Sequence, residues 1–132
     1  MNEVPTGHIK FDFGARMIPH PEKAHKGGED AYFSNEKLLV VCDGVGGWAT
    51  QGIDPADYSR GLAKNVEKNF FKSKEPENLK DVLILANEQT KVVGSSTCVF
   101  AAIDPKEEIV NTCNLGDSSY LWLRKSGDDL IK

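Results

Sequence analysis

Between Glu29 and Asp43 the chain holds two short β-prone runs joined by Asn35-Glu36 and bracketed by acids. The first run, Ala31 to Ser34, and the second, Lys37 to Cys42, predict a hairpin whose Leu- and Val-rich second strand is buried. Antiparallel pairing returns the end of the second strand to the start of the first, so Glu29, Asp30 and Asp43 gather at one end of a sheet. Gly44-Val45-Gly46-Gly47 must then turn tightly, because glycine tolerates backbone angles and close approaches that a side chain forbids.

The flanking segments supply the other elements. His8 to Phe13 alternates apolar and polar residues, with Ile9, Phe11 and Phe13 on one face, and predicts a first strand. Pro19 to Gly28 holds two prolines and two glycines and predicts a polar loop. Beyond the glycine turn, Asp54-Pro55 reads as an N-cap followed by a first-turn proline. Tyr58, Leu62, Val66 and Phe70 then recur at helical spacing to about Lys72. Ser73 to Glu77 breaks that helix, and Asn78 caps a second over Leu79 to Lys91, with Leu79, Val82, Leu83 and Ala86 as its buried stripe. The remainder predicts strands over 97–103, 109–115, 119–124 and 129–132, separated by turns at Asp104-Pro105, Gly116-Asp117 and Ser126-Gly127. No later element covers the sheet face that these strands would bury, so the fold is expected to be incomplete at its C-terminus.

A chain of 132 residues suits one domain, 1–132, and its 39% hydrophobic and 27% charged residues exclude wholesale disorder. Sixteen basic residues against twenty acidic ones leave a net charge of -4, which gives no electrostatic footprint for nucleic acid. The apolar runs fall far short of the ~20 residues that span a bilayer, so no membrane span is expected. Cys42, Cys98 and Cys113 are odd in number, lack CxxC spacing and sit in apolar runs, which argues for packed thiols rather than a disulfide framework or a zinc site. The opening MNEVPTGHIKFDF has neither the apolar centre of a secretory signal nor the Arg-rich character of a transit peptide.

Carboxylates clustered beside a glycine turn suit hard divalent cations such as Mg²⁺ or Mn²⁺, which take oxygen ligands. The same pattern equally describes a solvated acidic pair and an aspartate that starts a turn. A phosphate-cradling loop is excluded: GVGGW lacks the Lys-Ser/Thr of a P-loop and the glycine spacing of a dinucleotide fingerprint.

Four blocks carry a resemblance: GGEDAYF (27–33), VVCDGVGGW (40–48), GSSTC (94–98) and NLGDS (114–118). In order and approximate spacing they resemble the type 2C, metal-dependent Ser/Thr protein phosphatases. HPEK before the acids and DPADYSRGL after the tryptophan resemble the organellar branch of that family. The resemblance implies an α+β fold, part of an αββα sandwich in which antiparallel sheets are flanked by helices, and a mitochondrial location, with plastid or cytoplasm as alternatives.

It also implies an activity: phosphoprotein hydrolysis by a water activated at a binuclear Mn²⁺ or Mg²⁺ site. On that pattern Asp43 bridges the two ions, the Gly44 carbonyl and Glu29 complete the second site, and Asp30 acts through bound water. Asp117 resembles a ligand of a weaker third ion; as a residue following glycine, it reads equally well as a turn aspartate. Where the family usually places a phosphate-binding arginine, this chain has His25, with Lys23 and Lys26 as nearby substitutes. Val45 stands where many members carry a histidine. Two further metal-binding aspartates of later motifs are not found. The alternative is therefore a noncatalytic segment serving as an interaction or assembly subunit, or a split enzyme completed by a second chain or by self-association.

Overall fold

The computed structural model describes residues 9–73 and 78–131. Its centre is a four-stranded antiparallel sheet in the order β1-β2-β3-β4, built from β1 (Asp30–Ser34), β2 (Leu38–Asp43), β3 (Cys98–Asp104) and β4 (Ile109–Leu115). The predicted hairpin is present, and its register pairs Ala31 with Cys42 and Asp30 with Asp43. Asn35 sets the turn: its side-chain oxygen accepts from the backbone N–H groups of Lys37 and Leu38, both at 2.8 Å.

Two helices cover one face of the sheet. Helix α1 (Pro55–Lys72) starts where Asp54 accepts from the Ala56 N–H at 3.0 Å, with Pro55 in the first turn. Helix α2 (Leu79–Gln89) starts where Asn78 accepts from the Lys80 N–H at 2.9 Å. Helix α1 packs on α2, β1 and β2. Leu62, Val66 and Phe70 of α1 and Leu79, Val82, Leu83 and Ala86 of α2 meet Leu38, Val40 and Cys42 of β2 and Cys98, Phe100 and Ala102 of β3 in one core. Burial of each large side chain among these stabilises the fold by about 1.5–3 kcal/mol. Polar side chains at the helix contact are paired: Tyr58 donates to Asn87, and Asn69 donates to Gln89 at 2.9 Å.

Several expectations need correction. Residues 9–13 form no strand; the segment touches the hairpin turn through one ladder-like bond, from the Phe11 N–H to the Glu36 carbonyl at 2.8 Å, while Ile9 and Phe13 stay exposed. A single bond does not make a ladder, and His8 lies outside the described residues. The loop before the acids is largely a 3₁₀ helix, Pro21–Lys26, closed by Gly27 in the left-handed region. A second 3₁₀ helix, Gly46–Gln51, follows the glycine turn. Helix α2 stops at Gln89 rather than Lys91, because the Thr90 hydroxyl turns back to donate to the Ala86 carbonyl at 2.7 Å. Of the expected break at 73–77, residues 74–77 lie outside the described residues.

The expected strand over 119–124 is absent as well. Residues 119–123 are irregular, and the chain pairs later, in a two-stranded ribbon of β5 (Arg124–Ser126) and β6 (Asp129–Ile131) closed around Gly127. Lys132 lies outside the described residues. Among the described residues, the sandwich is thus represented by one helical layer on one principal sheet, an α+β arrangement.

Candidate functional site

The hairpin register carries Asp30 and Asp43 to directly opposed positions at the sheet end. The Asp43 carboxyl is held above the ordinary carboxylate range, first by partial removal from water, then by the hydrogen bond and charge of Asp30 and the charge of Asp117. Lys23 pulls in the opposite direction. Asp117, seventy-four positions from Asp43 in sequence, therefore belongs to the same electrostatic neighbourhood.

Glu29 behaves differently from its neighbour. Glu29 lies just before β1, outside its side-chain alternation. Its Oε2 accepts from the Lys23 ammonium at 2.7 Å, and its side chain is only 14% exposed, so the pair is shielded on the carboxylate side. The Glu29 carbonyl accepts from the Gly44 N–H at 3.0 Å and from the Ser59 hydroxyl at 2.6 Å, which fixes the strand start against the glycine turn and helix α1. Gly44 cannot be anything larger. A Cβ there would meet the Pro55 carbonyl oxygen at 2.5 Å and the Glu29 carbonyl oxygen at 2.7 Å, both backbone atoms.

His25 lies on the first 3₁₀ helix and, with Lys23, Lys26, Gly28, Glu29 and Asp54, lines a cavity of about 140 Å³. The cationic side of the site is therefore the Pro21–Lys26 helix, and its anionic side is the hairpin end. Lys23 joins the two.

The remaining blocks converge on Asp43 through its backbone. The Thr97 hydroxyl accepts from the Asp43 N–H at 3.1 Å, and the Thr97 N–H donates to the Asp43 carbonyl at 2.9 Å. The Ser96 hydroxyl donates to that carbonyl at 3.0 Å. Ser95 is tied to the glycine turn, taking the Val45 N–H on its carbonyl at 3.0 Å and the Trp48 indole N–H on its hydroxyl at 2.8 Å. Thr97 in turn shares a 2.6 Å bond with Ser118, next to Asp117. Sequence reading did not assign roles to Ser96, Thr97 and Ser118. The available signal was the hydroxyl-rich run at the start of one strand facing a glycine-acid turn at the end of its neighbour.

The donor chemistry fits a hard divalent cation in kind: opposed carboxylates with raised proton affinity are relieved by positive charge. The number of ligands is smaller than the sequence pattern implied. Among the described residues no three His, Cys, Asp or Glu side chains converge closely enough to hold a metal ion, because Glu29 is turned to Lys23.

No family model matches the chain. Individual relatives do. The chain is 38% identical over 127 residues to a rice (Oryza sativa subsp. japonica) protein named "Probable protein phosphatase 2C BIPP2C1", covering 94% of this chain and 22% of that protein. It is 40% identical over 125 residues to "Probable protein phosphatase 2C 55" of Arabidopsis thaliana, covering 91% of this chain and 26% of the relative. Among solved structures, the photosystem II phosphatase PBCP superposes with a TM-score of 0.71 at 35% identity, over 77% of this chain and 41% of that one. The chain thus spans about a quarter of the length of these curated relatives.

Proposed function

On the premise that this chain belongs to the type 2C protein phosphatase family, of which it represents a part, we propose that it carries the first carboxylates of a metal-dependent phosphoserine/phosphothreonine phosphatase site. The observation that supports this most directly is the opposed Asp30–Asp43 pair, with the charge of Asp117 in reach. Asp43, with Asp30, Glu29 and the Gly44 carbonyl, would hold Mn²⁺ or Mg²⁺, and Asp117 would hold a weaker third ion. Such ions, when bound, supply the positive charge that acidifies a water and offsets charge developing at phosphorus.

The chain's own groups do the positioning. Hairpin pairing keeps Asp43 opposite Asp30, and the Gly44 turn lies against the backbone of Glu29 and Pro55. Lys23 is the cation best placed for a phosphate, since it lies between the cavity and Glu29 and its side chain is 40% exposed. His25 lines the same cavity and is the second candidate. For Glu29 to hold a metal it would have to give up its pair with Lys23, and that cation would then be free for a phosphate.

Mn²⁺-dependent hydrolysis of p-nitrophenyl phosphate by this chain tests the reading. Turnover that Asp43→Asn abolishes supports it, with Lys23→Ala expected to raise KM more than His25→Ala does. Absence of turnover when the chain is folded and Mn²⁺ is bound favours the second reading, a noncatalytic or split segment needing another chain or a second copy. The Lys23–Glu29 pair, which leaves only two carboxylates face to face, is the observation behind that second reading.

The compartment follows the relatives rather than the first expectation. The mitochondrial assignment has no support among them, whereas the photosystem II phosphatase at 35% identity favours the plastid alternative.

A further inference from the structure

The Pro21–Lys26 helix walls one side of the cavity, and we infer that it is a lid latched by the Lys23–Glu29 ion pair, so that closing the cavity and occupying Glu29 are a single event. The cavity, of about 140 Å³, lies between two parts of the chain: Lys23, His25 and Lys26 come from the helix, and Glu29, Ala49 and Asp54 from the segments that follow it. Apolar burial does not hold this helix down, since none of its six residues is buried. Beyond its own turn bonds, two polar contacts tie it to the rest of the described residues. One is the 2.7 Å pair of Lys23 Nζ with Glu29 Oε2. The other runs from Arg60 Nη2 to the Lys26 carbonyl at 3.4 Å, long for a hydrogen bond.

The backbone next to the helix suits a hinge. Gly27 and Gly28 follow it at φ +82 and +80, two consecutive residues in the left-handed region, where only glycine moves at no steric cost. The latch itself is shielded. The Glu29 side chain is 14% exposed, and the glycine turn closes against the pair, since a Cβ at Gly46 would meet both Glu29 Oε2 and Lys23 Nζ at 3.0 Å. A shielded pair keeps more of its attraction than one in open water. Segments with few buried contacts occupy the low end of a protein's local stabilities, so this helix opens ahead of the sheet and of α1 and α2. Latched, it walls the cavity and keeps Glu29 on Lys23; unlatched, it exposes the cavity and frees both side chains. Such a device serves a catalytic and a noncatalytic chain alike.

The test is the rate of tryptic cleavage after Lys26, taken relative to cleavage after Lys125 in the β5–β6 ribbon and followed by mass spectrometry on the full chain, with circular dichroism to verify folding. Cleavage in a transiently opened segment tracks the population of the open form. Glu29→Gln and Lys23→Met each remove the pair and are expected to raise the relative rate about fivefold. The double variant is expected to go no faster than either, because a single interaction has been lost. Raising the ionic strength from about 0.01 to about 1 M is expected to raise the relative rate in the wild-type chain and to leave the variants unchanged, a readout that a merely structural role of either side chain would not give. Wild-type rates in the folded variants, or a salt response that persists without the pair, overturns the inference. Where a substitution unfolds the chain, the salt series on the unaltered chain decides alone, and an unchanged ratio there overturns the latch.

Discussion

At the residue scale, Asp43 is a carboxylate that the fold tolerates rather than favours. Its pKa is raised above 3.8 in the folded chain, so the folded state binds its proton more tightly than the unfolded one. Linkage then has a definite sign: this group's stabilising protonation is complete at low pH and is lost as the pH rises through the folded-state pKa. Asp43→Asn is therefore expected to melt a few degrees higher than the wild type at pH 7 in EDTA, a gap that closes below pH 3.8. Saturating Mn²⁺ should reverse the order. A thermal-shift series over pH with and without metal reads both effects. The thiols give an independent check. A hydrogen bond with Cys42, together with burial, pushes the Cys98 thiol up, and both cysteines are fully buried. In the native chain at pH 8 an aromatic disulfide reagent is expected to reach the half-buried Cys113 before Cys42 or Cys98, and all three once urea unfolds it.

At the element scale, the hairpin and the start of helix α1 are one unit. Asp54 caps the helix, Pro55 occupies its first turn, and the Pro55 carbonyl closes on Gly44. Removing the cap oxygen in Asp54→Ala should cost about 1 kcal/mol, read as a lower urea midpoint with unchanged slope. Asp30 shares a sheet face with Tyr32 and with its register partner Asp43, while Glu29, just before β1, pairs with Lys23 and takes the Ser59 hydroxyl on its carbonyl.

At the scale of the whole molecule, the helices protect one face of the sheet only. Tyr32 and Val41, register partners on the opposite face, are each about half exposed, as are Tyr120, Leu121, Trp122 and Leu123 in the irregular segment after β4. Apolar surface of this kind drives association. Light scattering on the chain should show mass rising with concentration, and Val41→Lys with Leu121→Lys should suppress it; a monomer at every concentration would contradict this. No helix among the described residues is long and apolar enough to cross a membrane.

The sequence by itself determined the hairpin, both helices with their caps, and strands β3 and β4. Each is set by short-range chemistry: Asn35 in the turn, Asp54 and Asn78 at helix starts, and stripes at period 2 or 3.6. It also placed Asp30 and Asp43 at one sheet end, since antiparallel pairing follows from the turn. Tertiary structure decided what depends on contacts distant in sequence. Whether residues 9–13 and 119–124 become strands depends on a neighbouring strand being available, which no local pattern encodes. The joining of Asp43 to the Asp117 turn through Thr97 and Ser118 likewise required folding, because those groups meet only once β2, β3 and β4 have paired.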